Sequence, residues 1–221
     1  MKAQVNDIIR DVELALNEVD PNAAQFVGDR DNEDLRTLIS SNIESCTDEL
    51  HKKADMRNLA LDSVIDIFYD GDPSATGFSY RQKSGILTVM LQSHSEGFDR
   101  YALGIDLLRM VSAKACCWPY SISNTVFPDD PLYEIVTDRF VGAQADFPAV
   151  TQRKKKMTVG TSTALFTTLE LRSLSNSEDK AHIIVIPREK IENGAVDIDR
   201  NLYPALIERL AEKTLSITNN R

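Results

Sequence analysis

The chain has 221 residues, of which 42% are apolar and 27% charged, values typical of a globular protein with one large or two small domains. No apolar run approaches the roughly 18 residues that span a membrane, and the charged N-terminal segment lacks the pattern of a secretion signal. The formal net charge of −9 argues against a nucleic-acid-binding protein, because neutralisation of phosphates dominates that affinity. We therefore expect a protein that is made and retained in a cytoplasm.

The charge is unevenly distributed along the sequence. Residues 1–150 carry 13 Lys and Arg against 25 Asp and Glu, whereas residues 151–221 carry 12 against 9. Such separation can set the register of protein–protein contacts, with the basic part of one copy facing the acidic part of a neighbour. Placement of charges for solubility alone is the alternative interpretation.

The N-terminal third has the pattern of two amphipathic helices. Apolar residues recur at helical spacing over residues 5–19 and again over residues 35–50. Asp31 or Asn32 can cap the second helix, and helical character can continue over residues 59–68. Cys46 lies on the apolar face of the second helix, which predicts packing in the core.

The middle of the chain has the pattern of strands followed by one helix. GILTVMLQ (85–92) predicts a strand, and residues 101–118 favour extended structure, with a helix over 103–111 as the alternative. Asp130 followed by Pro131 favours the start of a helix, because aspartate caps and proline is tolerated in the first turn. That helix is predicted to end near Ala143.

The last third predicts strands over residues 163–172 and 181–187, which could pair as a hairpin, and then a C-terminal helix capped by Asp199 or Asn201. The fold class is therefore predicted to be α+β, with helices at the N- and C-terminal ends and a β-rich middle and second half. The chain is predicted to be a single domain, residues 1–221, with a helical part over about 1–70 and a mixed part over about 84–221.

The common catalytic and phosphate-binding motifs are missing from the sequence. His51, His94 and His182 are scattered, and we expect them on an exposed helix face, in a loop and on a strand, respectively. The sequence thus predicts a protein that is not an enzyme, with no catalytic residue, no metal site and no cofactor.

The segment KACCWPY (114–120) holds two of the three cysteines beside the only tryptophan. If Cys116 and Cys117 lie on a strand, their side chains point to opposite faces and cannot bind one ion. Adjacent Cα atoms are also closer than a disulfide prefers. We interpret the segment as a strand end with two unpaired thiols, where Trp118 packs against the core or a neighbouring subunit.

The segment QRKKK (152–156) contains four consecutive cations in an acidic chain. A solvated loop before the strands is the first interpretation. A salt-bridging patch that meets an acidic neighbouring subunit is the second, and contact with passing DNA phosphates is the third.

The order of these segments resembles the ring or tail-adaptor proteins of short-tailed bacteriophages, of the crAss-like type. The resemblance covers most of the chain and depends on eight short stretches: DIIRDVELAL (7–16), LRMVSAK (108–114), WP (118–119), PLYE (131–134), FPAV (147–150), LEL (169–171), IIVIP (183–187) and LYPAL (202–206). The cysteine pair before Trp118 departs from the pattern of that family.

The resemblance implies a virion structural protein of the head–tail connector. Its copies would form a dodecameric ring below the portal, extend the DNA channel and link the portal to the tail. Its partners would be the portal protein and other ring or tail proteins, with DNA passing without specific binding and no membrane involved.

Assembly would take place in the host cytoplasm, and the protein would then reside in the neck of the virion. The expected interface or channel residues are Arg153, Lys154, Lys155, Lys156 and Trp118. The alternative is a cytoplasmic enzyme or small-molecule-binding protein of another family.

Overall fold

The computed structural model describes residues 1–19, 29–55, 59, 64–72, 79–83, 85–138, 142–144, 146–159, 161–175 and 179–218, except for the side chains of residues 17–19, 29–32 and 82. Two compact units are present. The helical unit comprises Met1–Ser63 and Arg188–Arg221, and the sandwich unit comprises Val64–Pro187.

The described residues form four α-helices and nine strands, together with one turn of 3₁₀ helix at Asp99–Tyr101. In chain order the helices and strands are β1 (Lys2–Gln4), α1 (Val5–Val19), α2 (Asp29–Lys53), β2 (Ile65–Tyr69), β3 (Tyr80–Lys83), β4 (Ile86–Ser93), β5 (Leu107–Ala115), α3 (Leu132–Thr137), β6 (Ala149–Val159), β7 (Ser162–Arg172), β8 (Ala181–Pro187), β9 (Ala195–Asp197) and α4 (Tyr203–Thr218).

Three helices form the core of the helical unit. Ile8 and Val12 of α1, Ile43 of α2, and Leu206 and Leu210 of α4 are all fully buried. Ile8 and Val12 are four positions apart, as are Leu206 and Leu210, so each pair lies on one side of its helix. Ile43 belongs to the same buried cluster. Burial of each such side chain stabilises the unit by about 1.5–3 kcal/mol. The two short strands β1 and β9 pair antiparallel in the same unit.

The sandwich unit consists of two antiparallel sheets that share one core. One sheet has the order β2-β8-β5 and the other β3-β4-β7-β6. Buried side chains from both sheets form one cluster, which includes Ile183 and Tyr69 from the first and Leu87, Leu169 and Leu171 from the second. The rings of Tyr69 and Tyr80 stack across the two sheets, with centroids 5.4 Å apart.

The four-stranded sheet is strongly coiled. β3 and β6 are its two outer strands. Nevertheless, Arg81 Nη2 on β3 donates a hydrogen bond to the Thr158 carbonyl oxygen on β6 at 2.6 Å. Flat strands in this order would hold these groups far apart, so the sheet curls until its opposite edges approach each other.

The α+β fold class is confirmed, with helices at both ends and a β-rich middle. The predicted strand over 85–92 is confirmed as β4, and the alternative helix over 103–111 does not form. The side chain of Asp199 accepts a hydrogen bond from the Asn201 amide at 2.8 Å, in the turn before α4. Because α4 begins at Tyr203, this bond satisfies an amide outside the helix and does not cap it. The predicted caps Asp31 and Asn32 have side chains outside the described residues.

Two predictions of secondary structure are wrong. Residues 65–69 form a strand and do not continue the helix, because the alternating sequence IDIFY pairs with β8 along its whole length. Residues 163–172 and 181–187 do not form a hairpin. β7 pairs with β4 and β6, whereas β8 lies in the other sheet between β2 and β5.

The predicted helix from Leu132 to Ala143 is shorter, since α3 ends at Thr137 and Asp138 is extended. The Asp130 carboxylate accepts a hydrogen bond from the Leu132 amide at 2.8 Å, which stabilises the helix start. The division into units also differs from the predicted helical and mixed parts, because α4 packs with α1 and α2. None of the described helices is long and apolar enough to cross a bilayer.

Candidate interaction surface of the sandwich unit

The four consecutive cations lie within strand β6, so the interpretation of QRKKK as a loop is wrong. Successive side chains on a strand point to opposite faces, which divides the four into two pairs. Arg153 and Lys155 are half-buried on one face, with 30% and 33% of their side chains exposed. Lys154 and Lys156 are exposed on the other.

The inner pair binds Glu170, a carboxylate on β7 of which 1% is exposed. Arg153 and Lys155 donate to Glu170 Oε1 at 2.8 and 2.5 Å, and Arg172 donates to Oε2 at 2.6 Å. Burial alone would raise the pKa of Glu170, but the hydrogen bonds and charges of Lys155 and Arg153 outweigh it and lower the pKa to about 2. Glu170 is therefore ionised at neutral pH.

Five cations share the face of the four-stranded sheet that carries Glu170. Cross-strand partners point to the same side of a sheet, and the register places Arg81 and Thr88 beside Glu170, and Lys83 and Ile86 beside Arg172. We call this surface the cationic face; its basic residues are Arg81, Lys83, Arg153, Lys155 and Arg172. Among the strand residues on it, Glu170 is the one acidic side chain, so the cations exceed the acids by four.

Several polar atoms of the cationic face are buried without a hydrogen-bond partner among the described residues. They are the Nε atoms of Arg153 and Arg172 and the hydroxyl oxygen of Thr151, which is opposite Glu170 in the register. Arg172 has only 11% of its side chain exposed. These atoms are shielded from solvent, so Arg153 and Arg172 add positive charge to the face while their Nε atoms cannot be reached from outside.

An open groove of about 600 Å³ lies beside the start of β6. Phe127, Pro128 and Tyr133 line it together with Gln152, Arg153 and Lys154. Val126 positions this side, because its amide donates to the Val150 carbonyl and its own carbonyl accepts from the Gln152 amide, at 2.8 and 3.1 Å. The connection from β5 to β6 is thereby attached to the edge of the sheet.

The same connection exposes an unusual number of large apolar side chains. Exposed fractions range from 44% at Phe127 to 73% at Phe147, and Tyr120, Leu132 and Ile135 lie between these values. Leu132 and Ile135 are three residues apart on α3 and so lie on one side of that helix. Clustered exposed apolar side chains are typical of surfaces that bind other proteins.

Trp118 lies in the core of the sandwich unit, with 2% of its surface exposed. Its indole Nε1 donates to the Ser173 carbonyl at 3.2 Å. It is therefore an anchor for packing within its own chain.

The segment is a strand end, since β5 ends at Ala115, but the cysteine pair lies in the turn that follows, so the argument from opposite faces of a strand does not apply to it. The Cys116 thiol is exposed and contacts Asp179 Oδ1 at 3.4 Å, whereas that of Cys117 contacts the Ser173 carbonyl at 3.7 Å. Burial raises the pKa of the Cys117 thiol. No group of three potential metal ligands is found in the described part of the chain.

The three histidines lie in separate places. His51 is fully buried in α2, so the prediction of an exposed helix position is wrong. His94 is in a loop and His182 is on β8, as predicted. His182 Nε2 lies 2.8 Å from Asp66 Oδ1, and its ring stacks on Phe68 at 4.3 Å between centroids.

The helical unit contains one conspicuous carboxylate, the half-buried Glu189. Burial raises its pKa, and the negative charges of Asp197 and Asp48 raise it further, to about 7. The Asp48 carboxylate itself accepts a hydrogen bond from Arg188 Nη1. Glu189 is thus protonated in a large fraction of molecules at neutral pH.

Sequence analysis found the four cations of β6 but missed Glu170, Arg172, Arg81 and Lys83. Glu170 was visible as a lone acid within an otherwise apolar strand, LFTTLEL (165–171), which signals a buried charge that needs partners. Nothing in the sequence linked Arg81 and Lys83 to it, because their common face results from the order β3-β4-β7-β6.

Comparisons with known proteins add no family to this description. No protein-family model matches the chain. Neither a curated protein nor a solved structure matches it.

Proposed function

We propose that this chain is a virion structural protein of the head–tail connector in a short-tailed bacteriophage of the crAss-like type. Its copies form a ring below the portal, extend the DNA channel and link the portal to the tail. The ring is a dodecamer of the 24.7 kDa chain, and it contacts the portal protein and other ring or tail proteins. DNA passes through it without specific binding, and the protein resides in the virion neck after assembly in the host cytoplasm.

The observation that best supports an assembly role is the exposed surface around the start of β6. Phe127 is exposed and lines the groove there together with Lys154, and Lys156 is exposed two residues further along β6. Interfaces between proteins combine an apolar centre with a charged rim that sets orientation. Because Arg153 and Lys155 are engaged by Glu170, Lys154 and Lys156 are the members of the predicted set that are exposed for rim contacts.

The charge of the two units supports contacts between different surfaces of neighbouring copies. The helical unit has 13 Lys and Arg against 20 Asp and Glu, and the sandwich unit has 12 against 14. A ring requires heterologous contacts, in which one patch meets a different patch of the next copy. An acidic unit and a cationic strand in one chain provide two such patches.

The proposal is tested by native mass spectrometry of the chain with the portal protein encoded in the same genome. We expect a large cyclic oligomer, and we expect Lys154→Glu combined with Lys156→Glu to reduce its yield strongly. The matched control is Lys52→Glu with Lys53→Glu, which makes the same charge change at two exposed adjacent lysines of α2. A chain that stays monomeric with the portal and binds a small metabolite would contradict the proposal.

A further inference from the structure

The cationic face carries more positive charge than its own chain neutralises. Three cations surround Glu170 within hydrogen-bond distance, and Arg81 and Lys83 lie on the same face and are exposed. Like charges at this density repel each other, since a side chain that is one-tenth to one-third exposed is only partly screened by water. An added carboxylate group would lower this repulsion.

The geometry also favours a planar oxyanion. Arginine presents several N–H donors in one plane, which matches the two oxygens of a carboxylate. The donors that an incoming carboxylate can reach are those of the exposed Arg81 and Lys83, whereas the Nε atoms of Arg153 and Arg172 are buried. The curl of the sheet, held by the bond from Arg81 to Thr158, brings the outer strands together around this face.

Two sources of anions could meet such a face, and charge decides between them. Nucleic acid would approach a chain whose net charge is −9, which disfavours a long polyanion. A second copy has the same net charge, but its charge is unevenly distributed, and most of the excess acid lies in the helical unit, where acids exceed bases by 20 to 13. Glu33 and Asp34 are exposed there, near the start of α2.

We infer that the cationic face binds carboxylates of the helical unit of a second copy, with Glu33 and Asp34 as the principal acids. The inference rests on the proposed function, because it names the contact between neighbours in the ring. The apolar surface around Phe127 and α3 then remains available for other contacts. The interface is heterologous, so each copy donates a helical unit to one neighbour and a cationic face to the other.

Carbodiimide cross-linking tests the contact directly, because the reagent joins carboxylates to amines that already touch. The chain is mixed with a ¹⁵N-labelled copy, assembled with the portal protein and digested for mass spectrometry. We expect mixed-isotope cross-links from Glu33 or Asp34 to Lys83 or Lys155. Cross-links of these residues within one isotope only, or protection of Lys83 and Lys155 by duplex DNA and not by a second copy, would overturn the inference.

A charge exchange provides an independent measurement. Lys83 is exposed and has no role in the Glu170 cluster, so Lys83→Glu should leave the fold intact and weaken association about tenfold. The double variant Glu33→Lys with Asp34→Lys should weaken association similarly. Mixing this double variant with the Lys83→Glu chain should restore association at the contact where the charges are exchanged. Lys52→Glu with Lys53→Glu again serves as the matched control.

The outcomes separate this inference from the proposed function. If the ring forms with the portal, Lys83→Glu assembles like the wild type and no mixed cross-link is found, the inference fails while the function stands. If copies cross-link at these residues but no ring forms with the portal, the contact stands and the proposed function fails. A chain that remains monomeric in every mixture overturns both.

Discussion

The two units each contain a glutamate in an unusual electrostatic environment, and the two environments are opposite. Glu170 in the sandwich unit is surrounded by Arg153, Lys155 and Arg172, and its pKa falls to about 2. Glu189 in the helical unit is half-buried near Asp197 and Asp48, and its pKa rises to about 7. The same residue type therefore stabilises one unit as an anion and the other as a neutral acid.

The difference follows from how each unit builds its interior. A sheet holds side chains of neighbouring strands side by side, so one buried carboxylate can receive donors from strands β6 and β7 at once. The segment around Glu189 is instead irregular, and burial together with the negative charges of Asp197 and Asp48 disfavours the ionised form of Glu189. We therefore expect the stability of the two units to change in opposite directions when the pH is changed or when the glutamate charge is removed.

The largest effect is expected for Glu170→Gln. The substitution leaves three cations without their common anion, and loss of one partner in a buried ion cluster costs about 3–5 kcal/mol. Urea unfolding at pH 7 measures the difference, and Glu134→Gln at an exposed position of α3 should change stability by less than about 0.5 kcal/mol. Equal midpoints for Glu170→Gln and wild type would contradict the assigned role of the cluster.

The pH dependence of this effect has a definite sign. The folded-state pKa of Glu170, about 2, lies below its ordinary value of 4.5. Its contribution is therefore complete above pH 4.5 and is lost as the pH falls towards 2. The difference in free energy of unfolding between wild type and Glu170→Gln should therefore decrease as the pH falls from 4.5 towards 2.

The second effect has the opposite sign and concerns Glu189→Gln. The folded-state pKa is raised from 4.5 to about 7, so the stabilising neutral form is fully present below pH 4.5 and is lost as the pH rises through 7. We expect the variant to be more stable than wild type by about 1–3 kcal/mol at pH 8, after allowance for solvent screening, and equal to it near pH 4.

Thermal unfolding across this pH range measures the effect of Glu189→Gln. Glu208→Gln, at an exposed position of α4 in the same unit, is the matched control and should show no such window. A variant that gains nothing at pH 8 would show that Glu189 is solvated well enough to ionise normally.

A smaller effect is expected for Trp118→Phe. The change removes the hydrogen bond from Nε1 to the Ser173 carbonyl and part of a buried ring, which together cost about 1–3 kcal/mol. Tyr120→Phe, two residues away and largely exposed, should cost less than about 0.5 kcal/mol. If Trp118→Phe is neutral in the isolated chain but impairs assembly, Trp118 acts at an interface and not in the core.

The smallest effect on stability is expected for substitution of a thiol. The reactivity of the thiols also shows how accessible each unit is to solvent. Cys46 is fully buried in the helical unit, and burial raises the pKa of its thiol, whereas Cys116 is exposed in the sandwich unit. With a thiol reagent at pH 8, Cys116 should react first and Cys46 only when its unit opens. Cys116→Ser should remove the fast phase and change stability by less than about 0.5 kcal/mol.

The sequence was sufficient to predict elements with a strong local signal. The stripe of Ile8, Val12 and Leu16 determines α1, and Asp199 with Pro204 marks the start of α4. The sequence was not sufficient to predict which strands pair when they are far apart in the chain. The short connection at residues 160–161 favours pairing of β6 with β7, but it does not determine which strand lies on the other side of β7.

The candidate surface was predictable only in part, for the same reason. Four of its cations are adjacent in sequence and were found, but their division into an inner and an outer pair depends on their being on a strand. Arg81 and Lys83 join the inner pair through two intervening strands. The sequence is compatible with helical character over residues 59–68, because the strand partner of Ile65–Tyr69, β8, lies more than one hundred positions later in the chain.

The position of β6 at the outer edge of its sheet has a consequence for how copies can associate. An edge strand presents unpaired backbone groups, and a second chain could add to it and continue into an open-ended fibril. Among the described residues, Val126 covers this strand near Val150 and Gln152, and Arg81 binds the Thr158 carbonyl towards its other end. Between these contacts, Lys154 and Lys156 place charge along the open edge, which opposes strand addition while still permitting contacts through side chains. These two lysines therefore favour closed assemblies and disfavour open-ended ones.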